Sequence, residues 1–242
     1  TMRGGLAVLE GKEFQRAMLD ISNAEVRTKF EHDFRRFRGR GRIGVISDNE
    51  EQPLVIASHH GVYAIVTVGV VTNAALLVQE LFERRAAQFS EMSRGGINPT
   101  ELVAVLINSQ QTLEEGVRYA QEKIEGSCSM LLLTDRGELY AARDRYGRTP
   151  VVLGQKEGAV AAAMESCSFP NLGYTVLRDL GPGEMVVCTP EGAETVLPAG
   201  VQLAVCSFLW VYFGYPASSY EGRNVEVSRY RCGAALARRN PV

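Results

Sequence analysis

Residues 130–154 of this 242-residue chain read MLLLTDRGELYAARDRYGRTPVVLG, and this stretch decides the fold class. Apolar runs of strand length alternate with short polar segments, of which residues 135–137 (DRG) are typical of a turn. On physical grounds alone, the stretch predicts a buried antiparallel sheet whose polar residues belong to its turns. The predicted strands are residues 130–134, 138–142, 151–154 and 159–164.

The flanking sequence predicts further strands, with helices between them. The β-branched run at residues 61–72 is interrupted by Gly69, which predicts two strands or one bent strand. Helices are predicted where apolar residues recur at helical spacing, and Asn73 is expected to cap one of them. Strands, then consecutive helices, then strands again indicate sheets with helices packed outside. The further strands are predicted at residues 4–9, 43–47, 54–59, 175–178 and 184–189, and the helices at residues 12–29, 74–89, 98–107, 112–124 and 229–241.

The composition is that of a globular protein. Apolar residues make up 45% of the chain, and the net charge of −2 gives no electrostatic case for binding nucleic acid or an anionic membrane. No apolar run approaches the roughly 18 residues of a membrane span, and the first residues lack the pattern of a signal peptide. The five cysteines are dispersed and odd in number, which favours reduced thiols and a cytoplasmic location over a disulfide framework.

Three ordered motifs resemble those of the class II glutamine amidotransferases. Residues 140–150 (YAARDRYGRTP) resemble the family segment YAARDPxGIRPL. Residues 165–167 (ESC) resemble the SES or SESC that follows it, and residues 180–184 (LGPGE) are similar to the family's xxPGE. Each motif alone is weak, but the set at matching spacing is specific.

A C-terminal segment resembles a narrower group, the glutamine phosphoribosylpyrophosphate amidotransferases. Residues 206–213 (CSFLWVYF), followed by residues 222–225 (GRNV) and Arg229, are similar to its CxFExIYFxRPDS…GxxVxxxR segment. The resemblance is dense from about residue 126 onwards and thin before Gly69.

The resemblance implies that residues 1–242 form one α+β domain, the four-layer αββα sandwich of N-terminal-nucleophile hydrolases. In the complete family enzyme, ammonia released from glutamine travels to a C-terminal phosphoribosyltransferase domain, which makes phosphoribosylamine for purine synthesis. That domain is expected after residue 242, unless the parent protein has lost it. Family members form dimers and tetramers, so a homo-oligomer is a further expectation, and no cofactor is expected in this domain.

The family's catalytic groups line up with residues of a different chemistry. The nucleophile is a cysteine at the mature N-terminus, whose α-amino group serves as the base. Its position falls at Gly4, or at Arg3 in a register shifted by one, and neither residue can act as a nucleophile. Residues 67–73 (TVGVVTN) line up with the oxyanion motif HNGNLxN, where Gly69 is kept but Val68 replaces the donor Asn.

The glutamine clamp is altered in the same way. Residues 44–53 (GVISDNEEQP) line up with GHTRYxTxG…NAQP, keeping Gln52 and Pro53 but containing no arginine. The family's clamping Asp falls at Pro99. With four changes at separate places in the chain, the sequence predicts a glutaminase-like domain without glutaminase activity.

Two alternatives stay open at this stage. The chain could be a stand-alone binding or regulatory protein, whose pocket holds another small ligand against Gly69. The second alternative is an amidohydrolase with Thr1 as the nucleophile, because an N-terminal threonine serves that purpose in some hydrolases of this fold.

The remaining cysteine, histidine and arginine candidates are predicted to have structural rather than catalytic roles. Cys167 is predicted to be a buried, inert thiol at a strand end. Cys206 matches a position that ligates an iron–sulfur cluster in some members, but the remaining ligands would come from the phosphoribosyltransferase domain, so no cluster is expected in this chain alone. No metal site is predicted, and His59 and His60 are expected to form a pair at the surface. Arg143, Asp144 and Arg148 are predicted to form ion pairs and turns. The basic run at residues 30–42 is predicted to be a solvated surface.

Overall fold

The computed structural model describes residues 2–23, 25–48, 50–85, 88–90, 92–93 and 96–240. Sixteen strands and six α-helices lie in these ranges, together with two short 3₁₀ turns and a π-helix, Leu209–Phe213. The strands are β1 (Arg3–Glu10), β2 (Glu13–Asp20), β3 (Gly41–Ser47), β4 (Leu54–Ser58), β5 (Gly61–Val71), β6 (Met92–Ser93), β7 (Gly96–Ile97), β8 (Gly126–Thr134), β9 (Leu139–Ala142), β10 (Val152–Lys156), β11 (Ala159–Ala163), β12 (Thr175–Asp179), β13 (Met185–Thr189), β14 (Gly192–Leu197), β15 (Ser219–Tyr220) and β16 (Arg223–Asn224). The helices are α1 (Val26–Lys29), α2 (Glu31–Arg36), α3 (Ala74–Glu83), α4 (Pro99–Asn108), α5 (Leu113–Lys123) and α6 (Val225–Arg239).

A six-stranded antiparallel sheet forms the centre of the fold. Its strand order is β14-β13-β9-β8-β5-β4, and its longest pairing runs from Tyr63 opposite Thr134 to Val71 opposite Gly126. Successive side chains of a strand point to opposite faces. On β5, Tyr63 and Ile65 therefore pack with the helices α3, α4 and α5, and Ala64 and Val66 face the other way.

Two three-stranded sheets cover the second face of the central sheet. The sheet β2-β1-β3 contributes Ala7, Leu9 and Ile43 to one core. The sheet β11-β10-β12 lies over β9 and β13 through a second core that includes Leu153. The short helices α1 and α2 pack outside the first of these sheets, where Phe30 lies over Gly4. The layers are therefore helix, sheet, sheet, helix, which confirms the predicted α+β sandwich.

Most of the predicted elements are confirmed. Strands β1, β3, β4 and β5 and helices α4 and α5 lie where the sequence places them, and β5 is a single strand with Gly69 at a φ of 141°. Helix α5 has a complete capping box, in which Thr112 and Glu115 each accept the other's backbone N–H. The C-terminal helix is also confirmed, although it begins earlier, at Val225.

Three predictions need correction. Residues 12–29 are not one helix, because residues 13–20 form β2, which pairs with β1 across a turn containing Gly11 at a φ of 66°. The four strands of residues 130–164 do not share one sheet: β8 and β9 belong to the central sheet, and β10 and β11 to the facing one. Helix α3 ends at Glu83 and has no side-chain cap, since Asn73 instead bonds the carbonyl of Lys123 and the N–H of Glu125.

None of the helices in the described part of the chain is both long and apolar enough to span a bilayer.

Candidate functional site

Four separate segments meet at one end of the sandwich. Strands β1 and β3 pair antiparallel with Arg3 opposite Ser47, so the start of one strand lies beside the end of the other. The loop after β3 leads through Gln52 to β4. Residues 67–69 lie on the neighbouring β5, and the start of α4 supplies the fourth segment, at Asn98. These are the segments that the sequence aligns with the family's nucleophile, clamp, oxyanion and Asp motifs.

The Gln52 side chain joins the loop to β5 by making the hydrogen bonds that the backbone of a paired strand would otherwise make. The regular β4–β5 pairing ends at Leu54 opposite Ile65. Beyond it, the Gln52 side-chain amide accepts from the N–H of Thr67 at 2.7 Å and donates to the Thr67 carbonyl at 3.1 Å. An amide side chain offers both a donor and an acceptor, as a peptide group does. Gln52 is buried, so these two bonds are shielded from water.

Two more hydrogen bonds connect the start of α4 to the same cluster. The hydroxyls of Thr67 and Thr100 lie 2.7 Å apart in the interior. The Asn98 side chain caps α4 by accepting from the Thr100 N–H at 2.9 Å, and it donates to the Glu51 carbonyl at 3.0 Å. The structure thus brings together all four sequence-predicted segments. Polar contacts join the loop, β5 and α4, and pairing with β3 holds β1 beside them.

The four positions that align with the family's catalytic groups carry side chains of a different chemistry. Arg3 forms an ion pair with Glu51 at 3.4 Å, with both side chains about 40% exposed. Gly4 has no side chain, Val68 has no hydrogen-bond donor, and Pro99 has neither a carboxylate nor an N–H. Arg3, Gly4, Val68 and Pro99 therefore supply no nucleophile, oxyanion donor or α-amino clamp, and the one polar side chain among them is paired with an acid.

Gly69 has a packing reason to be glycine. A Cβ built on it would lie 1.9 Å from the carbonyl oxygen of Ser127 on the adjacent β8, and its φ of 141° is unfavourable for other residues. Its use as an oxyanion donor stays a prediction.

Cys128 is a thiol beside the site that the sequence motifs do not single out. It lies opposite Gly69 in the β5–β8 pairing and is buried. Burial, with added repulsion from the charges of Asp144 and Glu50, raises the pKa of the Cys128 thiol to about 12. The thiolate is the reactive form, so Cys128 is not a substitute nucleophile. Only the strand pairing reveals its position, because the two residues are far apart in sequence.

Thr1, the alternative nucleophile, lies outside the described residues. The next residue, Met2, donates its N–H to the Ser22 hydroxyl at 2.9 Å.

A separate apolar cleft lies on the other face of β1. It has a volume of about 300 Å³ and is enclosed by β1, β3, α1 and α2, with Phe30 and Phe34 on its helical side. Gly4 faces this cleft, whereas Gly5 faces Gln52. Strand alternation thus turns the Gly4 position towards the cleft, whereas the Arg3 and Gly5 positions face the meeting point of the four segments.

The residues of the YAARD motif are structural, as predicted. The Asp144 carboxylate accepts the backbone N–H groups of Tyr146, Arg148 and Thr149, the last at 2.7 Å, and so fixes the turn between β9 and β10. Arg148 donates to the Gly126 carbonyl at 2.9 Å. Arg143 is fully buried and forms an ion pair with Glu221 at 2.6 Å.

The predicted histidine pair and basic run lie at the surface. His59 Nε2 is 2.9 Å from the Gln110 carbonyl, and the centres of the His59 and His60 rings lie 3.9 Å apart with the rings tilted by 44°. Burial lowers the pKa of His60, as does the neighbouring His59. In the basic run, Arg35 pairs with Glu31 on the exposed α2.

The cysteines require one correction. Cys167 is half-buried rather than buried, and it lies in a 3₁₀ turn with its Sγ 3.9 Å from the Glu165 carboxylate. The inert assignment of Cys167 stays a prediction. Cys206 is exposed, and all five thiols are free. Within the described ranges, no group of three His, Cys, Asp or Glu side chains could hold a metal ion.

Comparison with known proteins assigns the fold to a family. Residues 39–170 match the family described as "Glutamine amidotransferase domain". The amidophosphoribosyltransferase of Bacillus subtilis is 30% identical over 217 residues, which cover 85% of this chain and 44% of that protein.

Two solved structures superpose on nearly the whole chain. One is the glutamine phosphoribosylpyrophosphate amidotransferase from B. subtilis, complexed with ADP and GMP, with a TM-score of 0.86 and 27% identity. The other, described as the allosteric regulatory enzyme of purine biosynthesis, also has a TM-score of 0.86, with 26% identity. Each match covers 99% of this chain and 52% of the other, so the chain spans about half the length of these relatives. The chain belongs to the class II, N-terminal-nucleophile-type glutamine amidotransferase domains and is related to the amidophosphoribosyltransferases.

Proposed function

We propose that this chain is the glutaminase-like domain of an amidophosphoribosyltransferase-type protein of purine nucleotide synthesis, and that it does not hydrolyse glutamine. The observation that carries the proposal is the meeting point of the four segments. Their backbones are assembled and buried, yet the catalytic positions hold Arg3 or Gly4, Val68 and Pro99.

The chemistry explains why these substitutions matter together. Amide hydrolysis of this kind begins when a nucleophile attacks the amide carbon, and neither Arg3 nor Gly4 can do so. The negative oxygen that forms next needs preorganised donors, and losing one such donor typically costs about 2.7–4 kcal/mol of transition-state stabilisation. Val68 offers none. Without an arginine in residues 44–53, the glutamine carboxylate also lacks the partner that the family motif provides.

The family residues that this chain keeps at the site have structural uses. Gln52 completes the edge of β5, and Gly69 permits close contact between β5 and β8. On β1, Gly5 likewise has a packing use, because its missing side chain leaves room for the Gln52 carbonyl. A domain that serves as a scaffold would keep such packing residues while losing catalytic ones.

An exposed aromatic surface supports the scaffold part of the proposal. Monomeric proteins rarely leave so many large apolar side chains unpaired in one region. This surface surrounds the π-helix and α6 near the C-terminal end of the described chain, and we propose that it packs against a phosphoribosyltransferase half. Its large exposed side chains are Leu203, Phe208, Val211, Tyr212, Phe213, Tyr215, Val227, Tyr230 and Leu236.

Calorimetric titration with L-glutamine tests the proposal. The B. subtilis amidophosphoribosyltransferase is the positive control under the same conditions. We expect no saturable binding to this chain, because the carboxylate clamp is missing and Arg3 is paired with Glu51. Tight binding would contradict the lost clamp. If it occurred without turnover, it would favour the alternative of a stand-alone ligand-binding protein.

A further inference from the structure

The C-terminal segment, residues 203–240, has a small core of its own. Leu209, Tyr220 and Val225 are buried together, and Trp210 packs against them. Arg229 of α6 ties the π-helix to this core by donating to the carbonyls of Trp210 at 2.8 Å, Tyr212 at 3.0 Å and Gly214 at 2.9 Å. Apart from Val225, no residue of α6 is buried. The segment therefore coheres as one small unit.

The contacts between this segment and the sandwich lie at two places. At its start, Leu203 lies beside Gly147 and the Ala204 N–H donates to the Tyr146 carbonyl at 2.8 Å, and the remaining contacts are polar and gather at residues 218–221. The Ser219 N–H donates to the Ser166 hydroxyl at 2.8 Å. Ser218 bonds the Glu165 carboxylate, and its hydroxyl also accepts the Cys167 N–H at 3.4 Å. The turn between β15 and β16 then presents Glu221 to the interior.

Glu221 meets Arg143, the one fully buried arginine among the residues that the structure describes. The Arg143 guanidinium has no exposed surface, and its Nη2 lies 2.6 Å from Glu221 Oε1. The same guanidinium donates to the carbonyls of Leu180 and Gly147. Among the described residues, Glu221 is the only acid at ion-pair distance from it. The Asp179 carboxyl also faces this group, and burial together with the Glu221 charge raises its pKa.

We infer that residues 203–240 open from the sandwich as a unit, and that the contact between Arg143 and Glu221 keeps the unit closed. Opening breaks a few polar contacts and one ion pair, while the cores of the sandwich stay intact, so its free energy lies below that of global unfolding. Removing the Glu221 charge leaves a buried guanidinium without its anion, which destabilises the closed state. Since the exposed aromatic surface lies on this segment, the ion pair also holds that surface in position relative to the sandwich.

Hydrogen–deuterium exchange of the purified chain tests the inference through two variants. Glu221→Gln removes the anion while keeping the side-chain shape, and Ser166→Ala removes an acceptor on the sandwich side of the same contact. In both variants, we expect amides within residues 203–240 to exchange at least about tenfold faster than in the unmodified chain. Amides of β5 and β8 should exchange at the unmodified rate.

Glu226→Gln is the matched control, because Glu226 is an exposed acid of the same segment. Because Glu226 lies in the first turn of α6, losing its charge should speed exchange by no more than about fivefold, and only within α6. Equal exchange in all variants would overturn the inference, as would faster exchange spread evenly over the sandwich. Complete unfolding of Glu221→Gln would overturn it as well, since the segment would then not open separately.

Discussion

Gly5 and Gln52 approach so closely that a Cβ built on Gly5 would lie 1.6 Å from the Gln52 carbonyl oxygen. This contact holds residues 50–53 against β1, beside the ion pair of Arg3 and Glu51. The loop is held from its other side by the bonds between Gln52 and Thr67. The loop is therefore packed between β1 and β5 at the candidate site.

Gly5→Ala should destabilise the fold strongly. The added methyl group meets a backbone atom that a rotamer change cannot move, so we expect a loss of about 3 kcal/mol in unfolding free energy, the upper end of the usual range for overpacking. Urea denaturation measures this loss. Gly233→Ala is the matched control, because a Cβ there meets nothing within 4 Å on the exposed α6 and should stabilise the helix by about 0.5–1 kcal/mol. Equal stabilities of the two variants would contradict the close contact.

Gln52→Ala tests the bonds that extend the edge of β5. Two buried hydrogen bonds are lost and both Thr67 backbone groups lose a partner, so we expect a destabilisation of about 2–4 kcal/mol. The control is Gln79→Ala, which removes only an exposed bond to Glu83 and should change stability by less than about 0.5 kcal/mol. If thermal or urea unfolding cannot distinguish the two, the Gln52 side chain does not secure the loop.

Glu184 predicts a dependence of stability on pH. Burial opposes its charge, but hydrogen bonds from Arg178 and from the Gly181 N–H outweigh that effect and hold the pKa of Glu184 below its usual value of 4.5. A lowered folded-state pKa gives stability that is present above the unfolded pKa and is lost as pH falls through the folded one. We therefore expect Glu184→Gln to be about 1–2 kcal/mol less stable near neutral pH, because Arg178 is partly exposed and the pair is partly screened.

The measurement is the difference in unfolding free energy between the two proteins as the pH is lowered. That difference should shrink below about pH 4.5. Glu194→Gln, at an exposed position of β14, should show no such trend. A difference that stays constant or grows in acid would rule out the assigned sign.

The local sequence was sufficient for much of the fold, because the deciding signals act over a few residues. Helix α5 is specified by its capping box, and α4 by Asn98 with Pro99 at its first turn. The strands of residues 130–164 were located by apolar runs between turn residues.

Errors arose where distant pairing decides the structure. Residues 13–20 have apolar residues at loosely helical spacing, yet they form β2 because β1 offers a complete antiparallel partner. Likewise, the apolar runs of β8 and β10 look alike, and only the turn held by Asp144 carries the chain from one sheet to the other.

The sequence predicted which residues occupy the candidate site, but not the hydrogen bonds and strand pairings that join them. Family motifs pointed to Arg3, Gly4, Val68 and Pro99, and the structure brings their segments together. The structural use of Gln52 could not be read locally, because it depends on where the pairing of β4 with β5 stops. The position of Cys128 opposite Gly69 likewise follows only from the register of two long strands.

Glutamate release from L-glutamine, measured with the purified chain at stoichiometric concentration, tests the central claim most directly. The B. subtilis amidophosphoribosyltransferase should release glutamate in a parallel sample. For this chain we predict no glutamate above the protein-free background, because the nucleophile position holds no reactive group. Release of one or more equivalents of glutamate per chain would contradict the account, and Thr1→Ala would then be the first variant to examine.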